Sequence, residues 1–172
     1  MDWVPVGYIT KTHGLKGEVK LKPVITDPSL VQGPHRVRLK KEDGSVTETA
    51  LEKVRGQGGR WIVKLKDLKS IEDAQALVGT AVEVWRADFP LLPDGEYYWF
   101  QIEGLQVYDE DGRFYGTVTE IIQTGSNDVY VVRDGGKELL LPMIDSVVKS
   151  IDLTENRLIF HIIEGLLENH PV

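Results

Sequence analysis

Glu18-Val19-Lys20-Leu21-Lys22 alternates charged and apolar residues without a break, and Arg36-Val37-Arg38-Leu39-Lys40 repeats the phase. Alternation with a period of two belongs to a half-buried strand, here with Val19 and Leu21 inward and the lysines outward. The pattern recurs along the chain as short Val/Ile/Leu runs, cut by turn signals that draw on 17 glycines. That punctuation favours β structure over a helix bundle. At 172 residues the chain can hold two small domains.

In the first half, Val4 to Ile9 reads as a strand leading into a polar loop, Thr10-Lys11-Thr12-His13-Gly14-Leu15-Lys16-Gly17. Glu48 to Arg55 and Trp61 to Leu65 read as a further strand pair around Gly56-Gln57-Gly58-Gly59. One helix is expected from Ser70, with Asp73 completing a capping box, Ile71, Ala74, Leu77 and Val78 on one face, and Gly79 as the stop. Ala81 to Trp85 returns as a strand. About six strands in so short a stretch favour a sheet closed into a small barrel.

Pro90 and Pro93 precede Gly95-Glu96-Tyr97-Tyr98-Trp99-Phe100, after which a second series of strands begins. Read as extended, this stretch sets Tyr97 and Trp99 on one face and Tyr98 and Phe100 on the other. Core or interdomain packing is the first reading of these aromatics, and a recognition patch at a domain junction is the alternative. Beyond them come hairpins around Asp109-Glu110-Asp111-Gly112 and Asp134-Gly135-Gly136, and a last strand pair around Thr154-Glu155-Asn156. The expectation is an all-β protein: two small β-barrel domains joined by a short Pro-containing linker, with one short helix in the first. The boundaries read as 1–86, a linker over 87–95, and 96–172.

Charge divides unevenly. Residues 1–90 carry 15 Lys/Arg against 12 Asp/Glu, a balance of +3, while the remainder carries 5 against 15, a balance of −10. The two halves should therefore prefer different partners. With no Cys, disulfides and thiolate chemistry are excluded. No apolar run is long enough to span a bilayer and the N-terminus has no basic, apolar leader, so a soluble cytoplasmic protein is expected.

The search for catalytic chemistry returns little. The glycines of His13-Gly14-Leu15-Lys16-Gly17 could bring backbone N–H groups to a phosphate, but no Lys-Ser/Thr follows and the next element is a strand, so this is not a P-loop. A hairpin loop explains it, and RNA-backbone contact by Lys11, His13 and Lys16, extended by Lys20 and Lys22, is the functional alternative. Asp109 to Gly112 is out of register for a calcium loop. His13, His35, His161 and His170 have no zinc-site spacing, and no nucleophile has a base beside it. No metal or cofactor is expected. Carboxylates converging on a metal remain the alternative, as an RNA-processing enzyme.

The residues Gly7-Tyr8-Ile9, His13-Gly14-Leu15-Lys16-Gly17-Glu18-Val19 and Gly79 to Trp85 resemble the N-terminal domain of the bacterial ribosome maturation factor family RimM. Glu96-Tyr97-Tyr98-Trp99, Gly104-Leu105, Gly125, Asn127-Asp128, Leu141-Pro142 and Gly165-Leu166-Leu167 resemble its PRC-barrel domain. The resemblance covers nearly the whole chain. It implies a non-enzymatic factor in assembly of the small-subunit head and ribosomal RNA processing. The implied partner is a basic ribosomal protein, the nineteenth of that subunit, and the chain is expected to be a monomer. The paired tyrosines implied in ribosome association fall on Tyr97 and Tyr98, with Glu96, Asn127 and Asp128 as further candidate contacts. The charge division agrees: a basic protein suits the acidic half, and RNA phosphates suit the basic one.

Overall fold

A computed structural model describes residues 2–33 and 35–167, which divide into two compact units, Met1–Leu91 and Leu92–Val172. The first is a closed barrel of six strands: β1 (Trp3–His13), β2 (Glu18–Pro23), β3 (His35–Lys40), β4 (Val46–Gln57), β5 (Arg60–Leu65) and β6 (Ala81–Trp85). Around the barrel the order is β1-β2-β5-β4-β3-β6, closed by antiparallel pairing of β6 with β1. Val19 and Leu21 point inward as the alternation requires, joined by Val37, Val63, Val82 and Trp61, all essentially inaccessible. Closure leaves no open edge for another chain to extend.

Two expectations are corrected in this unit. Thr10 to His13 is not loop: β1 runs on to His13, and only the four residues Gly14 to Gly17 turn. A register shift between Ile9 and Lys11 admits an extra residue, which breaks the alternation that a strand would otherwise show in sequence. The helix, α1 (Ile71–Gln75), starts as expected: the Asp73 N–H donates to Ser70 Oγ at 3.2 Å and the Ser70 N–H donates to Asp73 Oδ2 at 3.2 Å. The Lys69 N–H, which donates to Asp73 Oδ2 at 3.2 Å, and then Ser70 hold the Asp73 carboxyl below its usual range. It is too short to bury a stripe, however. Ala74 is buried, Leu77 half-buried, and Ile71 and Val78 are exposed.

The second unit is a six-stranded sheet built from β7 (Gln106–Asp109), β8 (Phe114–Gln123), β9 (Asp128–Asp134), β10 (Lys137–Pro142), β11 (Val148–Asp152) and β12 (Arg157–Phe160). Its order is β10-β9-β8-β7-β12-β11, antiparallel except for the β12–β7 pair. Leu105, Val107, Leu139, Leu141, Leu158 and Phe160 form its core with Tyr115, whose ring meets Phe160 edge-on at 5.0 Å. The acidic hairpin turn is held by its own first residue. Buried Asp109 accepts the N–H groups of Asp111 and Arg113 at 3.0 and 2.9 Å and the Tyr115 hydroxyl at 3.1 Å.

The aromatic stretch is not one extended strand: Tyr97 lies outside any regular element, Tyr98 keeps an extended backbone, and Trp99 and Phe100 open a helix. Tyr98 caps α2 (Trp99–Ile102): the Gln101 side chain reaches back to accept the Tyr98 N–H at 2.8 Å, and the Gln101 N–H donates to the Tyr98 carbonyl at 2.9 Å. A glutamine three residues after a cap is a helix-start signal. It was outweighed in the sequence by the strand preference of four aromatics in a row.

Candidate functional site

In the second unit the structure separates the paired tyrosines. Tyr98 is 8% exposed, with its ring stacked on Phe100 at 5.1 Å and 16° and edge-on to Trp99 at 6.2 Å. Tyr97 is half-buried against the core and lines an open pocket of about 220 Å³ with Gly95, Met143, Ile144, Asp145, Val148, Lys149, Ser150 and Ile151. Glu96 is exposed beside it. The difference is therefore set by a turn and a helix cap, not by strand alternation.

Asn127 and Asp128 join this region through the backbone. The Met143 N–H donates to the Asp128 carbonyl at 2.8 Å, tying the start of β9 to the pocket wall. Asn127 closes a polar turn: its N–H donates to Thr124 Oγ1 at 3.2 Å and its side-chain amide to the Asp128 carbonyl at 3.1 Å. Burial pushes the Tyr130 phenol up to about 12, and the Asp128 carboxylate and Tyr97 add to the effect. Tyr97 and Asp128 thus each lie within electrostatic reach of Tyr130. Ile144, 39% exposed, is an apolar contact that the sequence reading missed.

In the first unit four of the five candidate cationic positions share the outer face of β1 and β2. His13 stands opposite Glu18, Lys11 opposite Lys20, and Tyr8 opposite Lys22. Each rung continues around the barrel. Glu18 faces Lys64 and then Lys53, Lys20 faces Ile62 and then Arg55, and on the other side Tyr8 faces Ala81 and then Lys40. The carboxylate of Glu18 is taken up by Arg55 at 2.7 Å. The result is a face rich in lysine with its acid already paired.

Lys16 sits apart, in the turn. Its carbonyl accepts the Lys64 ammonium at 2.8 Å, and the same ammonium donates to the Leu68 carbonyl. Gly17 has φ +79°, and a Cβ there would lie 2.5 Å from the Leu68 oxygen. That glycine serves close packing of the turn on its own chain, so the loop is a hairpin and not a phosphate cradle.

The histidines do not converge. His13 faces Glu18, His35 Nε2 lies 3.0 Å from the Gln32 carbonyl, and His161 Nδ1 lies 2.5 Å from Glu110 Oε2, while His170 falls outside the described residues. Among the described residues no three His, Asp or Glu side chains are grouped to hold a metal ion. No helix among them is long and apolar enough to cross a membrane.

Two family models match the chain, the RimM N-terminal domain over residues 4–89 and the RimM PRC barrel domain over 99–166. The chain belongs to the RimM family. A ribosome maturation factor RimM from Geotalea daltonii is 40% identical over 95% of this chain and 94% of its own, and one from Thermosipho melanesiensis is 34% identical over 96% and 94%. The crystal structure of a RimM from Pseudomonas aeruginosa is 32% identical, covers 94% of this chain and 98% of its own, and has a TM-score of 0.46. The N-terminal RimM model spans the basic face of the barrel. The PRC-barrel RimM model starts at Trp99 and spans Asn127, Asp128 and the Met143 to Ile151 pocket wall.

Proposed function

We propose that this chain is a non-enzymatic ribosome maturation factor that acts in the cytoplasm on the small subunit. It binds the basic nineteenth protein of the subunit head through the acidic second unit and lies against ribosomal RNA through the basic face of the first. The observation that carries this reading is family membership together with the division of charge at the break between the units, +3 before residue 91 and −10 after it. A cationic protein is steered to the acidic unit and repelled by the basic one, and RNA behaves in the opposite way.

Within the second unit, Glu96 and Tyr97 supply the contact, the buried Tyr98 anchors the segment that carries them, and Asn127 and Asp128 hold Met143 of the pocket lining through the Asp128 carbonyl. An aromatic ring at the rim of a mixed pocket, with Asp145 and Lys149 both in its lining and Glu96 exposed beside it, can hold an apolar anchor of the partner, while the net negative charge of the unit attracts the basic segment around it. In the first unit, Lys11, His13, Lys20 and Lys22 meet RNA phosphates along one face, with Lys16 at its end. The test is capture of individually purified small-subunit ribosomal proteins by the full chain. Retention of the head protein over other equally basic ones supports the reading, and indiscriminate retention of all basic proteins contradicts it.

A further inference from the structure

Three places in the fold offer unexplained chemistry: the Tyr97 pocket, the Trp3–Trp85 cluster and the outer face of β1 and β2. The pocket belongs to the site already described. Trp3 and Trp85 meet edge-on at 5.0 Å, with Arg38 over one ring and Arg36 over the other, and Arg38 is also paired with Glu83, so these groups already satisfy one another. The lysine face is different: among the described residues Lys11, Lys20 and Lys22 have no carboxylate partner, and Glu18 on that face is taken by Arg55.

We infer that the outer face of β1 and β2 binds single-stranded RNA, with the Tyr8 ring as a platform on which an unpaired base stacks; this rests on the RNA-facing half of the function proposed above. Tyr8 is 49% exposed on a strand whose neighbours Val6 and Ile9 are fully buried. A large aromatic left half in water in a barrel wall is not serving the core. Lys22 stands directly across from it on β2, and on the other side the methyl of Ala81 leaves that flank open, with Lys40 beyond. One rung along, Lys11 and Lys20 are opposite each other, an arrangement that costs stability in the free protein and is relieved by a phosphate between them.

The combination selects against a duplex. Cations alone bind single and double strands alike through phosphates. A stacking ring among them gains only from a base whose face is free, and base–aromatic stacking is tolerant of sequence because every base has such a face. Along β2, Lys20 and Lys22 are two residues apart, the strand repeat, and the extra residue in β1 brings Lys11 and Tyr8 opposite them, so a phosphate site and a base platform occupy adjacent rungs of one surface. Ile62, half-buried in the same rung as Lys20, adds an apolar patch beside the pair.

The test measures binding of the full chain to labelled oligouridine, to oligoadenosine and to an RNA duplex of the same length across a salt series, with Tyr8→Ala, Tyr8→Phe and Lys20→Gln beside the parent. The single strands should bind more tightly than the duplex. Tyr8→Ala should lose roughly tenfold on single strands with the salt slope unchanged, and nothing on the duplex, while Tyr8→Phe keeps the affinity. Lys20→Gln should weaken both and lower the salt slope by less than about one. Since Tyr8→Phe keeps the ring, a folding defect in Tyr8→Ala is exposed by comparing the far-ultraviolet spectra of the two. If single strands bind and Tyr8→Ala binds like the parent, or the duplex is preferred, the stacking platform is overturned while RNA contact stands. If neither RNA form binds, the RNA-facing half of the proposed function fails and this inference with it.

Discussion

Lys11 and Lys20 face each other across β1 and β2 with no carboxylate in their rung. Two ammonium groups directly opposite one another repel, and a barrel selected for stability alone would place an acid at one position. Lys20→Glu should therefore raise the stability of the free protein by about 0.2–1 kcal/mol, read by urea denaturation, while weakening its binding to RNA. Unchanged or lower stability together with unchanged RNA binding would show that the pair is merely solvated.

The two tyrosines of the second unit should behave differently when changed singly. Tyr98→Ala removes a ring that is 8% exposed and stacked on Phe100, and should cost about 3–5 kcal/mol in urea denaturation. Tyr97→Ala takes a half-buried ring from the rim of a pocket, should cost clearly less, and should weaken binding to the ribosomal protein by about 2 kcal/mol. Equal stability losses with equal binding losses would remove the distinction.

Tyr130 makes stability depend on alkaline pH. Its folded pKa of about 12 lies above the ordinary phenol value of 10.0, so between these values the unfolded chain releases a proton that the folded one keeps. The contribution is intact below pH 10 and is lost as pH rises through about 12. Stability measured by denaturation should fall across that window, and Tyr130→Phe should flatten the fall. The Tyr115 phenol, raised by burial and by Asp109, leaves a smaller residual slope. A slope identical in parent and variant would assign the effect elsewhere.

Residues 87–95 are proposed as the linker, and they hold the most exposed large apolar side chain among the described residues, Leu91 at 99%. Limited proteolysis should cut there first and yield two resistant fragments. Primary cleavage within either unit would contradict the boundary.

Much of the strand content was legible because Val19, Leu21, Val37 and Leu39 alternate without interruption, and the Ser70 cap was legible because its partner is three residues away. The failures share a physical cause. At Thr10 to His13 a register shift disrupts the period that announces a strand, and after Tyr98 the cap formed by its N–H donating to the Gln101 side chain turns Trp99 and Phe100 into a helix against the strand preference of the aromatics. Of the basic face, the lysines were legible as outward and as candidate RNA contacts, but their arrangement around Tyr8 was not. Lys11, Lys20 and Tyr8 become neighbours only through the pairing of β1 with β2, and Lys40 only through closure of the barrel by β6. Register between strands is a non-local property, so Tyr8 passed as one more apolar residue in a run.

The central claim, that the acidic unit receives a basic ribosomal protein at the Tyr97 pocket, is tested most directly by calorimetric titration of the purified nineteenth small-subunit protein into the full chain and into a Glu96→Lys, Tyr97→Ala variant. The account predicts a one-to-one complex with the parent, weakened at least a hundredfold in a variant that melts within a few degrees of it. A folded variant that binds as tightly as the parent would contradict it.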